Sequence, residues 1–482
     1  MAALAMCLLA EAAHAQSFSV IYTFTNSPGA GNQNSSLLLE SNTLYGTTYY
    51  GGSSSNGTVF KVNTDGSGYT ILKSFSARSA NYPYTNTDGV WPQAGLVLSN
   101  SILYGTTMNG GLYGGGTVFK IQTDGSNFVT LKNFLFSGGG ASTDASNPQA
   151  GLVLAENTLY GTSYYGGTNG NGTVFKVNTD SSGFAILKHF SATILNTNFG
   201  AYVNGDGAIP YSGLALNGGA LYGTTSRGGS FGYGTVFMLN TDGSSFAVLK
   251  NFPRSFSSGG GSGINDDGMY PIGGLICQNN VLYGTTMGGG TNGWGTVFKI
   301  SIYGDGYSVI KSFANIPDGS YPQSTLVLSG NTLYGTTVSG GVTGNGTLFK
   351  VNLDGTGYSI LKNFPATVSD TNNDGGLNWS MAGLTLNGGT FYGTASVGGA
   401  YGSGTVFKLD LTPQLGAILF SNSIPQVAIT NFFGQSVDIQ VATNLSGTWE
   451  VLTNLVLTNG IGQFSDSSST NFPQRFYRAL AQ

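Results

Sequence analysis

The sequence predicts an all-β protein built around a seven-bladed β-propeller, and three observations support this prediction. Gly accounts for 78 of the 482 residues, 12% are aromatic and only 8% are charged, which is a turn-rich β composition. Four short strand-like runs, separated by Gly, Asn, Asp and Ser, fill each copy of a repeat. A repeat of about 50 residues indicates a propeller or a solenoid. The dipeptide Tyr-Gly marks its seven copies at Tyr45, Tyr104, Tyr160, Tyr222, Tyr283, Tyr334 and Tyr392.

Residues 1–15 are expected to be a signal peptide. A short apolar run is followed by Ala13-His14-Ala15, the small-x-small pattern of a cleavage site. No basic residue precedes the run, so an unstructured tail is the alternative. After cleavage Cys277 would be the only cysteine, which excludes an intramolecular disulfide.

The second copy illustrates the four predicted strands of one repeat. An Asp-Gly turn, a strong hairpin signal, separates the last two runs. The runs are AGLVL at 94–98, LYGTT at 103–107, GTVFKI at 116–121 and FVTLKNF at 128–134.

The fourth strand distinguishes a closed ring from an open solenoid. It follows the first six copies but is missing after the seventh, and a matching run, FSVIYTF, lies at Phe18 to Phe24. A chain that begins with the strand its last repeat lacks can close a circle and remove an exposed sheet edge. The sequence therefore predicts a propeller over residues 16–411, closed by an N-terminal strand.

All twelve lysines fall at two repeat positions, after the Phe of the third strand and near the end of the fourth. We expect them at the rim of the disc, with apolar stems on neighbouring side chains and charged heads in water.

The repeat unit, an apolar strand followed by L-Y-G-T-T, a double glycine, G-T-V-F-K-V and an aromatic strand, resembles the GloVer-type tandem repeats of exported bacterial proteins. With double glycines such as Gly51-Gly52 and Gly288-Gly289, it is more distantly similar to the kelch motif. The resemblance implies an exported propeller, and the GloVer-type family has no assigned catalytic residues.

Residues 412–482 no longer follow the repeat, and their alternating runs predict a small C-terminal β-sandwich. The segment resembles the short C-terminal modules of exported planctomycete and verrucomicrobial proteins. Thr443-Asn444-Leu445-Ser446 with Trp449, and Arg475-Phe476-Tyr477-Arg478, carry this resemblance.

Composition excludes several classes of function. A net charge of −4 disfavours binding to nucleic acid or to an anionic membrane surface. No apolar run outside the leader is long enough to predict a transmembrane segment. His189 is the only histidine after the leader, which leaves no Ser-His-Asp, Cys-His or His-rich metal site, and we expect it to be a packing variant. A sialidase-like arginine cluster is disfavoured because Arg78, Arg227 and Arg254 lie in unrelated loops.

The candidate ligand site lies on the face that carries the variable loops, between strands two and three and between blades. Aromatic side chains there could stack on sugar rings, or they could pack between adjacent loops. They are Tyr49, Tyr50, Tyr113, Tyr164, Tyr165, Phe231, Tyr233, Trp294 and Tyr401.

The sequence therefore favours an exported, non-catalytic binding or surface-structural protein, secreted or on the cell surface, with an extracellular glycan or protein as its ligand. The alternative is a carbohydrate-active enzyme that uses carboxylates such as Asp206 and Asp267.

No cofactor is expected except a weak calcium site at Asp370, Asn372 and Asp374, which fit the first half of a D-x-N-x-D-G loop. The competing interpretation is that Asn-x-Asp-Gly, which recurs in the loops between blades, is an ordinary turn.

Overall fold

A computed structural model describes residues 17–25, 35–198, 200–254, 263–366, 371–377 and 382–411 of the repeat region. In the C-terminal region it describes residues 414–421, 424–430, 435–442, 448–457, 461–466 and 476–481. The predicted signal peptide lies outside these ranges. The described residues form strands and turns without a helix, and hence without a helix able to cross a membrane.

Seven four-stranded sheets follow one another along the repeat region, numbered here in chain order. The first has strands Leu38–Glu40, Thr43–Thr48, Thr58–Asn63 and Thr70–Ser74. The second has Val97–Ser99, Ile102–Thr107, Gly114–Gln122 and Val129–Leu135, and the third Val153–Ala155, Thr158–Ser163, Thr173–Asn178 and Ala185–His189. The fourth has Ala215–Asn217, Ala220–Thr225, Thr235–Asn240 and Ala247–Asn251. The fifth has Ile276–Gln278, Val281–Thr286, Thr296–Ser301 and Ser308–Ser312, and the sixth Val327–Ser329, Thr332–Thr337, Thr347–Asn352 and Ser359–Asn363.

The seventh sheet joins the two ends of the repeat region. Its strands from the last copy are Thr385–Asn387, Thr390–Ala395 and Thr405–Asp410, and its outer strand is Ser17–Thr23. Just beyond that strand, the Phe24 backbone N–H donates to the Gly404 carbonyl at 3.1 Å. The structure thus places the N-terminal strand where the sequence predicts it.

Close packing explains the invariant glycine of L-Y-G-T-T. The Phe60 ring of the third strand lies directly over Gly46 of the second. A Cβ at Gly46 would approach Phe60 Cζ to 2.7 Å and Leu37 Cδ2 to 3.0 Å. Every copy repeats this arrangement, so the large aromatic ring at the centre of each sheet requires glycine opposite it.

Threonines connect five of the seven sheets to the next. The Thr47 hydroxyl donates to the Ala94 carbonyl of the following sheet at 3.1 Å. The same threonine of the seventh sheet, Thr394, donates to the Ser35 carbonyl beside the first sheet at 3.3 Å. These threonine contacts run from a sheet to its successor, and one of them runs from the last sheet back to the first.

The fourth-strand lysines, expected to extend into water, are paired with aspartates and only partly exposed. Lys188 Nζ lies 2.6 Å from Asp206, a residue of the loop that follows, and its side chain is only 20% exposed. It also lies 4.3 Å from the centre of the Phe246 ring in the next sheet. Six sheets repeat this ion pair, with Lys73–Asp88, Lys132–Asp144, Lys188–Asp206, Lys250–Asp267, Lys311–Asp318 and Lys362–Asp374.

The third-strand lysines also have protein partners. Lys120 Nζ donates to the Thr179 carbonyl in the next sheet at 2.9 Å, and Lys299 Nζ donates to Leu353 at 3.1 Å. In the seventh sheet Tyr22 takes the place of the fourth-strand lysine. Its ring stacks on Tyr69 at 4.1 Å. Lys120 and Lys299 therefore bind neighbouring sheets to each other.

Two three-stranded sheets make up the described part of the C-terminal region. Tyr477 Oη donates to the Asp466 carboxylate at 2.8 Å, and Arg478 Nε donates to Gln440 at 2.8 Å. The Arg478 guanidinium lies 4.4 Å from the Trp449 ring. These contacts account for part of the R-F-Y-R and Trp motif. The strands are Gln414–Ser421, Ile424–Thr430 and Ile461–Ser465 in one sheet, and Gln435–Ala442, Glu450–Leu457 and Phe476–Ala481 in the other.

Candidate functional site

The loops between strands two and three meet the loops between sheets at one end of the strands. Short backbone bridges join them, as at Val90 with Asn109 and at Ala208 with Arg227. This is the end at which the sequence predicts the ligand site.

Tyr49 and Tyr164, two of the predicted aromatic residues, pack against rings that sequence reasoning missed. Tyr49 stacks on Trp91, with ring centres 5.7 Å apart and planes 10° from parallel, and meets the edge of Tyr50. Tyr164 contacts its neighbour Tyr165 at 4.5 Å and Tyr211 at 5.6 Å. Trp91 and Tyr211 belong to segments that lead into the next sheet.

Tyr233 and Trp294 continue this pattern. Tyr233 lies 5.5 Å from Tyr270, and Trp294 lies 5.3 Å from Tyr321. Tyr113 and Tyr401 differ, since each is 53% exposed and has no ring contact among the described residues. The rings with such partners therefore pack between adjacent loops. Tyr113 and Tyr401 leave exposed aromatic surface at the loop face.

The residues that lead into the next sheet have an unusual backbone. Trp91, Tyr270 and Tyr321 have φ of 60°, 57° and 59°, values that bulky residues seldom adopt. Two backbone hydrogen bonds fix Trp91, one to the Asn56 carbonyl at 2.9 Å and one from the Met108 N–H at 3.2 Å. Strain that the surrounding structure holds in place in this way is common at ligand sites.

The segments that enter the first strands of successive sheets surround a cavity that is open to solvent. Gln93, Gln149 and Gln323 supply amide groups to its wall, beside Tyr211 and Ile272. None of the described residues that line it is charged. The wall therefore combines neutral hydrogen-bonding groups with apolar surface.

Tyr211 connects this cavity to the aromatic loops. Burial raises the pKa of Tyr211 to about 12, and the nearby hydroxyls of Tyr164 and Tyr49 contribute to the rise. Tyr211 thus lines the cavity and contacts Tyr164 directly, although the two rings come from the fourth and third repeats.

A second row of rings continues from Trp91 along the loop between the first and second sheets. Tyr84 lies 6.3 Å from Trp91, and Tyr82 lies 5.7 Å from Tyr84. The Arg78 guanidinium carbon lies 3.9 Å from the centre of the Tyr84 ring and 5.0 Å from the Trp91 ring. The row Tyr50, Tyr49, Trp91, Tyr84 and Tyr82, with Arg78, is called the aromatic ledge below.

The carboxylates proposed for the enzymatic alternative have other partners. Asp206 accepts a hydrogen bond from the Ser191 hydroxyl at 2.8 Å in addition to its ion pair with Lys188. The equivalent pair of the following repeat joins Asp267 to Lys250. Each acid therefore connects a loop to its own fourth strand.

The predicted calcium loop is only partly described, because Asp370 lies outside the described residues. Asp374 pairs with Lys362 at 2.5 Å. Asn372 Oδ1 accepts the Gly399 N–H at 3.3 Å, while its amide donates to the Pro365 carbonyl at 3.1 Å. A calcium ion at Asp374 would have to displace Lys362, and the metal site stays a prediction. Among the described residues no group of three His, Cys, Asp or Glu side chains could hold a metal ion.

His189 acts as a structural acceptor. Its Nδ1 lies 3.3 Å from the Thr168 N–H, where Asn133 and Asn251 accept the equivalent backbone N–H in other repeats. Burial, followed by the charge of Lys188, lowers the pKa of His189. The imidazole thus replaces an amide side chain in a loop contact.

The chain was compared with known families and structures. A family model described as the Gloeobacter/Verrucomicrobia repeat matches residues 11–209 and 261–448. No protein of curated function is similar to the chain in sequence.

Three of the solved structures that align with the chain are distant from it in sequence. For puromycin hydrolase the identity is 10% and the TM-score 0.49, with 85% of this chain and 62% of that chain covered. A puromycin-hydrolysing peptidase from Mycobacterium tuberculosis aligns at 11% and 0.45, covering 86% and 62%. TolB from Acinetobacter baumannii aligns at 9% and 0.34, covering 82% and 75%. The chain thus spans about 62% of the length of each puromycin-hydrolysing protein.

Proposed function

Starting from the fact that this chain belongs to the Gloeobacter/Verrucomicrobia repeat family, we propose that it is an exported, non-catalytic glycan-binding protein, secreted or held at the cell surface. Its repeats form a seven-bladed β-propeller, and its C-terminal region forms a small β-sandwich. The ligand binds on the loop face, at the aromatic ledge and the adjoining mouth of the cavity.

The number of sheets and their connections support the propeller. Seven four-stranded sheets share one strand order, and hydrogen bonds from Thr394 and Thr385 reach the chain just before the first sheet. Phe24, Leu37, Tyr392 and Val406 form one apolar cluster between the seventh and first sheets. Such a ring leaves no wide sheet face unpaired, which agrees with the scarcity of charge in the strands.

The observation that carries the binding function is the stacked pair of Tyr49 and Trp91, with Trp91 two residues before Gln93, which lines the neutral, amide-lined cavity. Flat aromatic faces suit the C–H faces of sugar rings. Amide side chains can donate to and accept from sugar hydroxyls. A small-molecule site is typically lined by apolar groups together with a few polar groups that point toward the ligand.

Binding is favoured over glycoside hydrolysis because of the partners of the acids. Asp206 and Asp267 belong to different repeats, and each is paired with a lysine. A pair of catalytic carboxylates must both face the scissile bond, whereas each of these acids is bound to the lysine of its own fourth strand.

The test is a glycan array probed with the wild type and with two variants designed from the repeat itself. Tyr49→Met introduces the residue found at Met108, and Trp91→Asn introduces the residue found at Asn147, which also has positive φ. Both should keep the thermal midpoint and lower glycan binding about five- to thirtyfold, since a stacked ring contributes on the order of 1 to 2 kcal/mol.

Tyr303→Ala is the matched control, because Tyr303 is 77% exposed in a hairpin at the opposite end of the strands. Binding that survives both loop variants would contradict the proposed site. Release of reducing sugar by the wild type, abolished in Asp206→Asn, would establish the enzymatic alternative.

A further inference from the structure

Arg78 is held in place by rings rather than by an acid. It lies in the loop between the strands Thr70–Ser74 and Val97–Ser99, half-buried, with its guanidinium 3.9 Å from the Tyr84 ring and 5.0 Å from the Trp91 ring. No described residue accepts a hydrogen bond from it or forms an ion pair with it. Stacking fixes the plane of a guanidinium and leaves its N–H donors pointing outward at the edge.

The nearest acid of this loop is already bound elsewhere. Asp88 pairs with Lys73 at 2.6 Å and accepts the Ser76 N–H at 3.1 Å. The described fourth-strand lysines all have such an aspartate, and Arg254 donates to the Asn198 carbonyl at 3.1 Å. Arg78 therefore keeps a positive charge at the ledge that the acid in its own loop does not neutralise.

The loop that carries Arg78 is well supported. The Ser79 N–H donates to the Thr85 carbonyl at 2.8 Å, and the Thr85 N–H donates to the Ser79 hydroxyl at 2.9 Å. The amide of Asn86 donates to the Ser76 carbonyl at 3.1 Å and to the Gly89 carbonyl at 2.9 Å. A ligand would thus meet a site that is already ordered, which reduces the entropy lost on binding.

The aromatic ledge extends on both sides of Arg78. Tyr50 at one end is 44% exposed and Tyr82 at the other is 63% exposed. Successive ring centres from Tyr82 through Tyr84 and Trp91 to Tyr49 lie 5.7, 6.3 and 5.7 Å apart. Four rings in succession, with Tyr50 beyond Tyr49, offer contacts to several units of a chain rather than to one small molecule.

We infer that Arg78 binds a carboxylate and makes the aromatic ledge selective for acidic glycans, meaning chains of sugars that carry carboxylate groups. The planar guanidinium matches a carboxylate through two parallel hydrogen bonds, and the flanking rings contact the C–H faces of the neighbouring sugars. This inference rests on the proposed glycan-binding function and names its ligand class.

The test is an array of acidic oligosaccharides from alginate, polygalacturonate and glucuronan, each beside its carboxyl-reduced counterpart. The wild type should bind at least one acidic chain about tenfold or more tightly than its reduced form. Arg78→Gln should bring the ratio of acidic to reduced binding down to about one, and an unchanged thermal midpoint shows that the variant is folded. Arg254→Gln, with the same loss of charge, should behave as the wild type.

Three results would overturn the inference. Equal binding of acidic and reduced chains by the wild type would refute selectivity and leave the proposed function intact. An equal loss of both in Arg78→Gln would make Arg78 a structural residue. Absence of binding to every chain, acidic or reduced, would refute the glycan-binding function together with the inference.

Discussion

Asp206→Asn should lower the free energy of unfolding by about 2 to 3 kcal/mol, although Asp206 is not expected to contact ligand. Its carboxylate accepts the Ser191 hydroxyl at 2.8 Å and the Lys188 ammonium at 2.6 Å, and its side chain is 9% exposed. Breaking a buried ion pair costs about 3 to 5 kcal/mol. The asparagine oxygen can keep a hydrogen bond to Ser191, and Lys188 keeps some contact with water. The expected cost is therefore about 2 to 3 kcal/mol rather than the full cost of a broken buried ion pair.

Urea denaturation followed by circular dichroism measures this cost. Lys188→Met combined with Asp206→Asn should be less destabilised than the sum of the two single variants, because no charge is then left without its partner. Asp180→Asn, at an exposed hairpin turn, is the control and should change little. The reasoning is refuted if Asp206→Asn costs no more than Asp180→Asn, or if the two single effects simply add.

Three further outcomes are expected. Phe24→Ala should cost as much as Phe190→Ala, about 3 to 5 kcal/mol by denaturation, because both rings are fully buried; a cost below about 1 kcal/mol would mean that the N-terminal strand is not part of the seventh sheet. Burial lowers the pKa of Lys350 to about 8 in the folded protein, whereas an unperturbed lysine has a pKa of about 10.4. Between these two pH values the unfolded chain binds one more proton at this residue than the folded chain. The stability of the wild type relative to Lys350→Met should therefore rise by about 2 kcal/mol from pH 7 to pH 9.5, and a flat difference would contradict this. Calorimetry should give weak calcium binding, on the order of 10⁻⁴ to 10⁻³ M, lost in Asp374→Ala, whereas no heat at millimolar calcium would leave the loop as a turn.

The strands and their order could be predicted because each depends on residues that recur at short spacing. Gly46 and Phe60, for example, define a contact between adjacent strands that every repeat must keep. The outer strand Ser17–Thr23 could be placed because it has the same pattern as the six other fourth strands. The local sequence pattern is thus sufficient to predict a strand whose packing contacts are made by residues close in the repeat.

The lysine–aspartate pairs could not be predicted because their partners lie in loops of variable length. Asp88 follows Lys73 by 15 residues, whereas Asp318 follows Lys311 by only 7. The chain thus shows no constant spacing from which the contact could be inferred. The predicted double glycine of the fifth copy, Gly288-Gly289, is wrong by one residue. Gly289 and Gly290 have the positive φ values of the double glycines in the other copies.

The sequence predicts only some of the aromatic residues of the candidate site, because the others do not stand at a repeated position. Tyr49 and Tyr164 stand at a fixed position after the second strand, but their partners Trp91 and Tyr211 occupy positions where other repeats have Asn147 and Gln93. In the sequence Arg78 is an isolated loop arginine, because the rings that surround it are brought to it only by folding. Such a site is specific to one junction between sheets and leaves no trace in the repeat.

Trp91 itself provides the most direct test that the aromatic ledge binds glycan. Its fluorescence should change on titration with an oligosaccharide selected from the array, because a sugar on the ledge alters the surroundings of the stacked Tyr49–Trp91 pair. We predict a saturable change in the wild type and in Tyr303→Ala, and none in Trp91→Asn. A change of the same size and midpoint in Trp91→Asn would show that the ligand binds elsewhere and would contradict the account.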